Sequence, residues 1–457
     1  MKILLINPEY RVPQGNIQFP LGLGYIAACL ERAGHSVAVI DLNAERQKRQ
    51  ELKKLISGID FDMVGISGMI TVYNGIVEAA RMIKDKNSGI PVICGGTASS
   101  SAYRFLLQNE AIDVCAIGEG EKTVVALFNN WSEREKVKGI AFRAPAGIKD
   151  TGEPDIFGDL DEVPYPAWHL FPMKKYLESE MIMPGIKSGM NMISNRGCPY
   201  SCTYCFRNFG GRVRLRGADN IIGEIEKLMK DYGVKHINFS DELFTIDRKR
   251  VTEFCEKVLG KKMNFTWRCL SRTDLASVEL YRLMKKAGCL EVGFGIESGS
   301  DRMLKSMNKH TTVAKAEFAI RAARKAGLHV TGTFIIGLPG ENEESIKQTE
   351  DFCVRNDIYN EIFYATPYPG TDLYEYAIKN RVIKYEEGFI TSLGNITEYS
   401  ENLTDMPAAR LIGLKTTAEA NIRRRRAEAA SIVKLARYIR NYGYGNLFKN
   451  IKARIFK

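Results

Sequence analysis

Residues 196–206 read "RGCPYSCTYCF", with Cys198, Cys202 and Cys205 spaced C-x3-C-x2-C and no fourth cysteine close by. A closed tetrahedral metal site takes four ligands, so this set is one short. Three readings compete. Spacings of four and three put the sulfurs on one helical face as core residues, but Gly197 and Pro199 oppose a helix, and Asn195 and Arg196 are poor company for a core. Zinc needs a further ligand, and His169 and His236 are both remote in sequence. An iron–sulfur cluster is the third reading. Thiolates are its usual ligands, and three of them on a four-iron cube leave one iron open to a substrate.

Outward from this stretch the chain alternates strand and helix. Strands are predicted at "NMISNR", "HINFSD", "FTWRCLSR", "LEVGFGIES", "HVTGTFIIG" and "EIFYATPYPG". Amphipathic stretches follow them, such as "DNIIGEIEKLMKDYG" with Ile221, Ile222, Ile225, Leu228 and Met229 on one face. Six βα units are too few for a closed eight-stranded barrel and predict a partial one, over residues 189–385. Towards the N-terminus, "KILLIN", "SVAVIDL", "MVGISG", "PVICGG" and "DVCAIGEGE" read as buried parallel strands separated by helices. They predict an α/β doubly wound parallel sheet over residues 1–140. Ligands bind such sheets at the strand C-termini, which here carry Asn7-Pro8, Ser67-Gly68, Gly95-Gly96-Thr97 and Gly118-Glu119-Gly120. Residues 141–188, rich in Pro, Gly and Asp and without periodicity, read as a linker. Residues 386–457 read as a helical, basic C-terminal region.

No apolar run is long enough for a membrane-spanning helix, and the apolar start "MKILLINPEY" is too short for a signal peptide. The expected location is cytoplasmic. Ten cysteines are then free thiols or metal ligands and not disulfides. Seven are scattered singly and read as core, as in "VTEFCEKVLG", where Cys255 shares a face with Val251, Phe254, Val258 and Leu259. The net charge of +11 is local: residues 421–457 hold eleven Lys and Arg against Glu428 alone, leaving +1 for the rest. That tail is either a solvated helix or a contact for an acidic partner, including a membrane surface. No basic-aromatic interleaving of the nucleic-acid type is evident.

With its motifs in view, the chain resembles the radical S-adenosylmethionine (SAM) superfamily. The carriers are Cys-x3-Cys-x-Tyr204-Cys, "FSDELFTID", "WRCLSRTD", "EVGFGIESGSDRML", "GTFIIGLPGENEES" and "PYPGTDLY", in that order. Preceded by a doubly wound domain, the whole resembles the cobalamin-binding radical SAM enzymes over residues 1 to about 400. The resemblance implies a 4Fe-4S cluster on Cys198, Cys202 and Cys205, whose open iron chelates the methionine end of SAM. Reductive cleavage then gives a 5′-deoxyadenosyl radical, with flavodoxin or ferredoxin as electron donor. It implies SAM contacts at Tyr204, Asp241, Glu242, Arg272, Glu297, Ser298, Gly337 and Pro339. For Arg272 the competing reading is a surface ion pair with Asp274. Cobalamin is implied against Pro20, Gly22, Ser67, Gly68, Gly95, Gly96, Gly118, Glu119 and Gly120. His35 does not fit the Asp-x-His-x-x-Gly pattern of a lower ligand, and Thr97 and Ala98 stand where many relatives have histidine, so a histidine-off state is implied.

The resulting expectation is a cobalamin-dependent methyltransferase acting on an unactivated carbon of a small-molecule, lipid or glycan-type substrate. Radical rearrangement or oxidative cyclisation is the alternative, and a non-catalytic cobalamin or iron–sulfur binding protein a distant one. A methylthiotransferase would build a second cluster from N-terminal cysteines, for which Cys29, Cys94 and Cys115 are the only candidates.

Overall fold

The computed structural model describes residues 1–10, 17–45, 49–180, 185–359, 361–394 and 397–428. Its first sheet holds β1 (Lys2–Asn7), β2 (Ser36–Asp41), β3 (Met63–Ser67), β4 (Val92–Gly95) and β5 (Val114–Ala116), all parallel, in the order β2-β1-β3-β4-β5. Alternation along these strands sends side chains to opposite faces. Ile3, Leu5, Met63, Ile93 and Val114 pack with α1 (Leu21–Arg32) and α5 (Gly120–Asn129). Leu4, Ile6, Val64, Val92, Cys94 and Cys115 face α2 (Arg49–Ser57), α3 (Tyr73–Lys86) and α4 (Gly96–Leu106). Covered on both sides, the strands need the continuous apolar runs that the sequence shows.

The expected linker differs from what forms. Its first residues belong to an antiparallel hairpin, β6 (Ile140–Ala144) and β7 (Gly147–Asp150), which extends the first sheet beyond β5. Residues 157–178, ending in α6 (Met173–Glu178), then run along the protein and send single apolar side chains into the core that the two sheets share. Trp168, Phe171 and Tyr176 enter the core, Phe171 and Tyr176 stacking edge-on to Phe19 at 4.7 and 5.5 Å. The Tyr176 hydroxyl donates to Asp41 Oδ2 at 2.5 Å. A segment without periodicity is still core here, because single aromatic anchors bury apolar area without any repeat.

The second sheet is a curled half-barrel of six parallel strands: β8 (Gly189–Met192), β11 (His236–Phe239), β12 (Thr266–Ser271), β13 (Cys289–Glu297), β14 (His329–Ile336) and β15 (Glu361–Tyr364). A two-stranded ribbon, β9 (Asn195–Arg196) and β10 (Arg214–Leu215), interrupts the chain after β8. Outside lie α7 (Ala218–Tyr232), α8 (Arg248–Gly260), α9 (Val278–Lys286), α10 (Asp301–Ser306), α11 (Val313–Lys325) and α12 (Glu343–Arg355). Local chemistry sets their ends: Asp247, Ser277, Thr312 and Asn342 each cap a helix N-terminus through the side chain. The left-handed Gly233 closes α7. Cys255 is buried with Val251, Phe254 and Val258, whereas Leu259 is exposed, one step too far round α8.

After β15, α13 (Asp372–Lys379) and α14 (Glu386–Ser392) turn the chain back onto the first domain, where Asn74 Nδ2 donates to the Thr391 carbonyl at 2.9 Å. A helix over residues 408–428 follows. Most of the basic tail lies outside the described residues. Among the described residues no helix is long and apolar enough to cross a membrane.

Candidate active site

The order β2-β1-β3-β4-β5 reverses direction between β1 and β3, and a crevice opens at such a switch point. It holds about 1310 Å³ of free space, solvent mouth included, and is mostly apolar. Pro20, Gly22, Ser67, Gly68, Gly95, Gly96, Gly118, Glu119 and Gly120 all line it. Two of these glycines are not demanded by protein packing. A Cβ on Gly22 or Gly95 would meet no atom within 4 Å, and neither has positive φ. Their missing side chains leave space in the cleft itself, a cradle for a broad ligand. Gly96 is different: its φ is +78° and a Cβ would lie 2.7 Å from the Gly68 carbonyl.

Helices α1, α4 and α5 all begin at this wall, at Pro20, Gly95 and Glu119, with no side-chain cap. Four of the six half-barrel helices, α8, α9, α11 and α12, are capped by side chains, whereas the three helix starts at the cleft leave N–H donors that acceptor groups of a ligand can use. A corrin, with its amide and phosphate acceptors, fits this donor set and cradle. Among the described residues no histidine lines the cleft; His35 lies beyond the far end of α1, its ring 6.4 Å from Phe128.

The three cysteines sit on the loop joining β9 to β10, partly accessible, while the other seven are buried. Gly197 makes the loop possible: its φ is +92°, and a Cβ there would approach the Arg212 carbonyl oxygen to 2.2 Å. Three contacts pin the loop to the half-barrel. Asn308 Nδ2 donates to the Ser201 carbonyl at 2.9 Å, Thr203 N–H to the Met307 carbonyl at 3.1 Å, and Leu373 N–H to the Thr203 carbonyl at 2.9 Å. Phe206 packs on Gly370 of "PYPGTDLY", whose missing Cβ makes room for the ring. Partial burial, with the charge of Glu242 and then of the neighbouring Cys202, raises the Cys198 thiol. Ligation must therefore displace protons. Among the described residues no three side chains close on a single ion, and a cube gives each thiolate its own iron. We expect Gly197→Ala to strain the loop by about 2 kcal/mol or more and to lower iron content per chain, read by iron assay after reconstitution.

Around the loop the expected SAM residues separate into two groups. Tyr204 belongs to it, Glu242 and Glu297 lie near it, and Leu338 of the Gly337–Pro339 turn is in the cluster against which Tyr204 packs. Lys309 Nζ bridges the Tyr204 hydroxyl at 3.0 Å and Glu297 Oε1 at 2.8 Å. Glu297 holds φ +69°, unusual for a residue with a side chain, at the point where β13 slips register against β14. Gly295 leaves the space that its carboxylate fills. Burial and then Asp241 push the Glu242 carboxyl up to about 7, and its Oε2 is buried without a hydrogen-bond partner. At the turn, Gly337 has φ +91° and donates its N–H to Glu341 Oε2 at 2.9 Å.

Burial pushes Glu341 up to about 7 from an ordinary 4.5. The folded chain thus holds this proton more tightly than the unfolded one, so the contribution of Glu341 to stability is fullest below pH 4.5 and falls as pH rises towards 7. Glu341→Gln should flatten that fall, worth up to roughly 3 kcal/mol, in melting curves across the window.

Four further expected site residues have polar groups that protein partners already engage. Asp241 is buried beneath the loop and spends its oxygens on Ser194 N–H, Ser194 Oγ and Asn195 N–H at 2.5 to 3.0 Å, which fixes the chain after β8. Ser298 is buried in a turn, accepting from Ser300 N–H at 3.1 Å. Arg272 pairs with Asp274 at 2.9 Å, but the pair is not a surface one: Arg272 is buried, lies 3.5 Å over the Tyr200 ring and donates to the Lys309 carbonyl. Glu119 lines the cleft, yet its carboxylate is taken by Arg196 and Arg214. Arg196 and Asn195 are buried, contrary to their polar character: Glu119 and Glu121 pair with the Arg196 guanidinium, and Asn195 Nδ2 donates to the Leu243 carbonyl at 3.0 Å. Sequence reasoning missed Lys309, Arg196 and Arg214; the only signal for the arginines was their position at the two ends of the cysteine loop. Cys94 and Cys115 pair in register inside the first sheet, and Cys29 is also buried, so the N-terminal cysteines do not form a second cluster site.

This cleft and loop are those of the cobalamin-binding radical SAM enzymes, and the chain belongs to that family. Residues 192–353 match the radical SAM superfamily and residues 12–128 the B12 binding domain. The chain is 34% identical to the uncharacterized methyltransferase PH0819 of Pyrococcus horikoshii, with 84% of each protein covered. It is 28% identical to cytidylyl-2-hydroxyethylphosphonate methyltransferase of Streptomyces wedmorensis, covering 89% of this chain and 86% of that protein. It is 29% identical to the anaerobic magnesium-protoporphyrin IX monomethyl ester cyclase of Rubrivivax gelatinosus, covering 86% and 73%. The fold is shared with the methyltransferase TsrM of Kitasatospora setae at TM-score 0.69 and 19% identity, over 84% of this chain and 77% of that one. The cofactors of the family, a 4Fe-4S cluster, SAM and cobalamin, are those of this enzyme.

Proposed function

We propose that this protein transfers a methyl group to an unactivated carbon of a small molecule, using cobalamin held in the cleft and a radical generated from SAM at the cysteine loop. One observation carries the reading: Asn208 and Phe209 of the cysteine loop line the same cleft as Gly95 and Gly96, so the two cofactor positions open on a common space. When bound, the cluster and SAM supply a hydrogen-abstracting radical and cobalamin supplies the methyl group.

The chain's own residues divide the remaining work. Cys198, Cys202 and Cys205 hold three irons. Glu242, with its unpartnered buried oxygen, accepts from the amino group of SAM, while Tyr204 and the Gly337–Pro339 turn flank the adenine. Glu297, oriented by Lys309, faces the ribose. The cradle at Gly22 and Gly95 would let backbone approach a corrin. A flavodoxin or ferredoxin is the expected reductant. A membrane-surface contact, and with it a lipid or glycan-type substrate, rests on the basic tail alone.

Anaerobic turnover tests the reading. Methyl transfer yields S-adenosylhomocysteine together with 5′-deoxyadenosine. Rearrangement or cyclisation yields the latter without the former. That second reading has the support of the cyclases of Rubrivivax gelatinosus, Cereibacter sphaeroides and Synechocystis, 27–29% identical over at least 82% of this chain. Protein purified with cobalamin that retains no corrin spectrum would sink both.

A further inference from the structure

Four charged side chains meet where the first domain touches the cysteine loop. Arg196 Nη1 lies 2.6 Å from Glu119 Oε2 and its Nη2 2.6 Å from Glu121 Oε1, and Arg214 reaches both Glu119 oxygens. All four side chains are at most 7% exposed. Burying this many ions is expensive, and such pairs add little stability over apolar residues of the same size. Their use lies in geometry.

The placement says which geometry. Arg196 and Arg214 are partners in the β9–β10 ladder, so they form the neck of the hairpin whose loop carries all three cysteines. Cys198 is two residues beyond Arg196. Glu119 sits between Gly118 and Gly120 on the cleft wall, and Glu121 lies in the first turn of α5. The Arg196 guanidinium also lies between the rings of Tyr25, from α1, and Phe209, from the cysteine loop, at 5.3 and 5.1 Å. Both rings line the cleft, as do Arg196, Glu119 and Glu121 themselves. Whatever fills the cleft presses on the side chains that hold the hairpin neck.

We propose that Glu119, with Arg196, Arg214 and Glu121, is a positioning latch that couples filling of the cobalamin cleft to the geometry of the cysteine hairpin. The inference rests on the cobalamin reading above. Coupling of this kind is reciprocal: the cluster tightens cobalamin binding by the same factor as cobalamin tightens the cluster. Glu119 and Arg196 act through the cofactors' surroundings and take no part in bond breaking.

The test is a binding cycle. Hydroxocobalamin affinity is measured by visible absorbance on full-length protein with and without reconstituted cluster, for wild type and for Glu119→Gln. The electron paramagnetic resonance spectrum of the reduced cluster is recorded with and without hydroxocobalamin. Wild type should bind the corrin about tenfold more tightly when the cluster is present, and its spectrum should shift on corrin addition. In Glu119→Gln the affinity ratio should fall to within about twofold of unity and the spectral shift should vanish, with both cofactors still bound. Glu121→Gln, which keeps both Glu119 pairs, is the second variant should the first fail to fold, and should retain an intermediate ratio. Wild type that binds both cofactors independently, or variants that keep the wild-type ratio, overturn the latch while leaving the functional reading intact. Wild type that takes up no corrin overturns both.

Discussion

Alanine at Cys198, Cys202 and Cys205 together should reduce iron content and 5′-deoxyadenosine formation to background while leaving the fold and its melting temperature nearly unchanged. The first half follows from the donor set, because these are the only cysteines of the chain that are not buried. The second half follows from how the loop is held. Its supports are backbone and amide contacts, Asn308 to Ser201, Thr203 to Met307 and Leu373 to Thr203, together with the Phe206 ring on Gly370. None of them uses a sulfur. A triple variant that unfolds would show that the thiols are structural, and one that still cleaves SAM would place the chemistry elsewhere.

Gly95→Val should abolish cobalamin uptake and methyl transfer while SAM is still cleaved. The backbone at Gly95 has φ −139°, which any residue adopts, and a Cβ there meets no protein atom. The variant should therefore fold as wild type. Its branched side chain would stand in the cradle, where overlap costing a few kcal/mol lowers corrin affinity by roughly 10²-fold or more. Corrin absorbance in the purified protein reads the first effect. The ratio of S-adenosylhomocysteine to 5′-deoxyadenosine reads the second, falling towards zero. Undiminished cobalamin binding would place the corrin away from this wall.

Much of this arrangement is legible in the amino-acid order, for identifiable reasons. Buried parallel strands require continuous apolar runs, and "KILLIN" or "PVICGG" can hardly be anything else. Glycines at strand ends mark a cleft, and one of them, Gly95, answers to nothing in the protein. The cysteine loop announces itself by spacing. What resists reading is pairing across long sequence separations. Glu119 looks like a cleft residue from its glycine neighbours, and only the fold brings Arg196 and Arg214 to it. Asp241 and Ser298 sit in motifs beside Glu242 and Glu297, yet their own side chains turn inward to brace the chain. Lys309 follows the unremarkable "SMN", and its role depends on Tyr204 and Glu297 converging from two other elements. Residues 157–178 lack any period, so no pattern search finds their anchors.

That last segment bears on whether the enzyme can be divided. Two sheets with separate ligands invite expression as separate halves, or exchange of one half between relatives. Cutting near residue 188 would strand Trp168 on a fragment without Tyr232 of the half-barrel, and cutting near 150 would take Phe171 and Tyr176 away from Phe19. Neither piece keeps a finished surface. Swaps intended to change substrate preference should therefore carry residues 151–188 along with both neighbours, or be confined to loops at the cleft mouth.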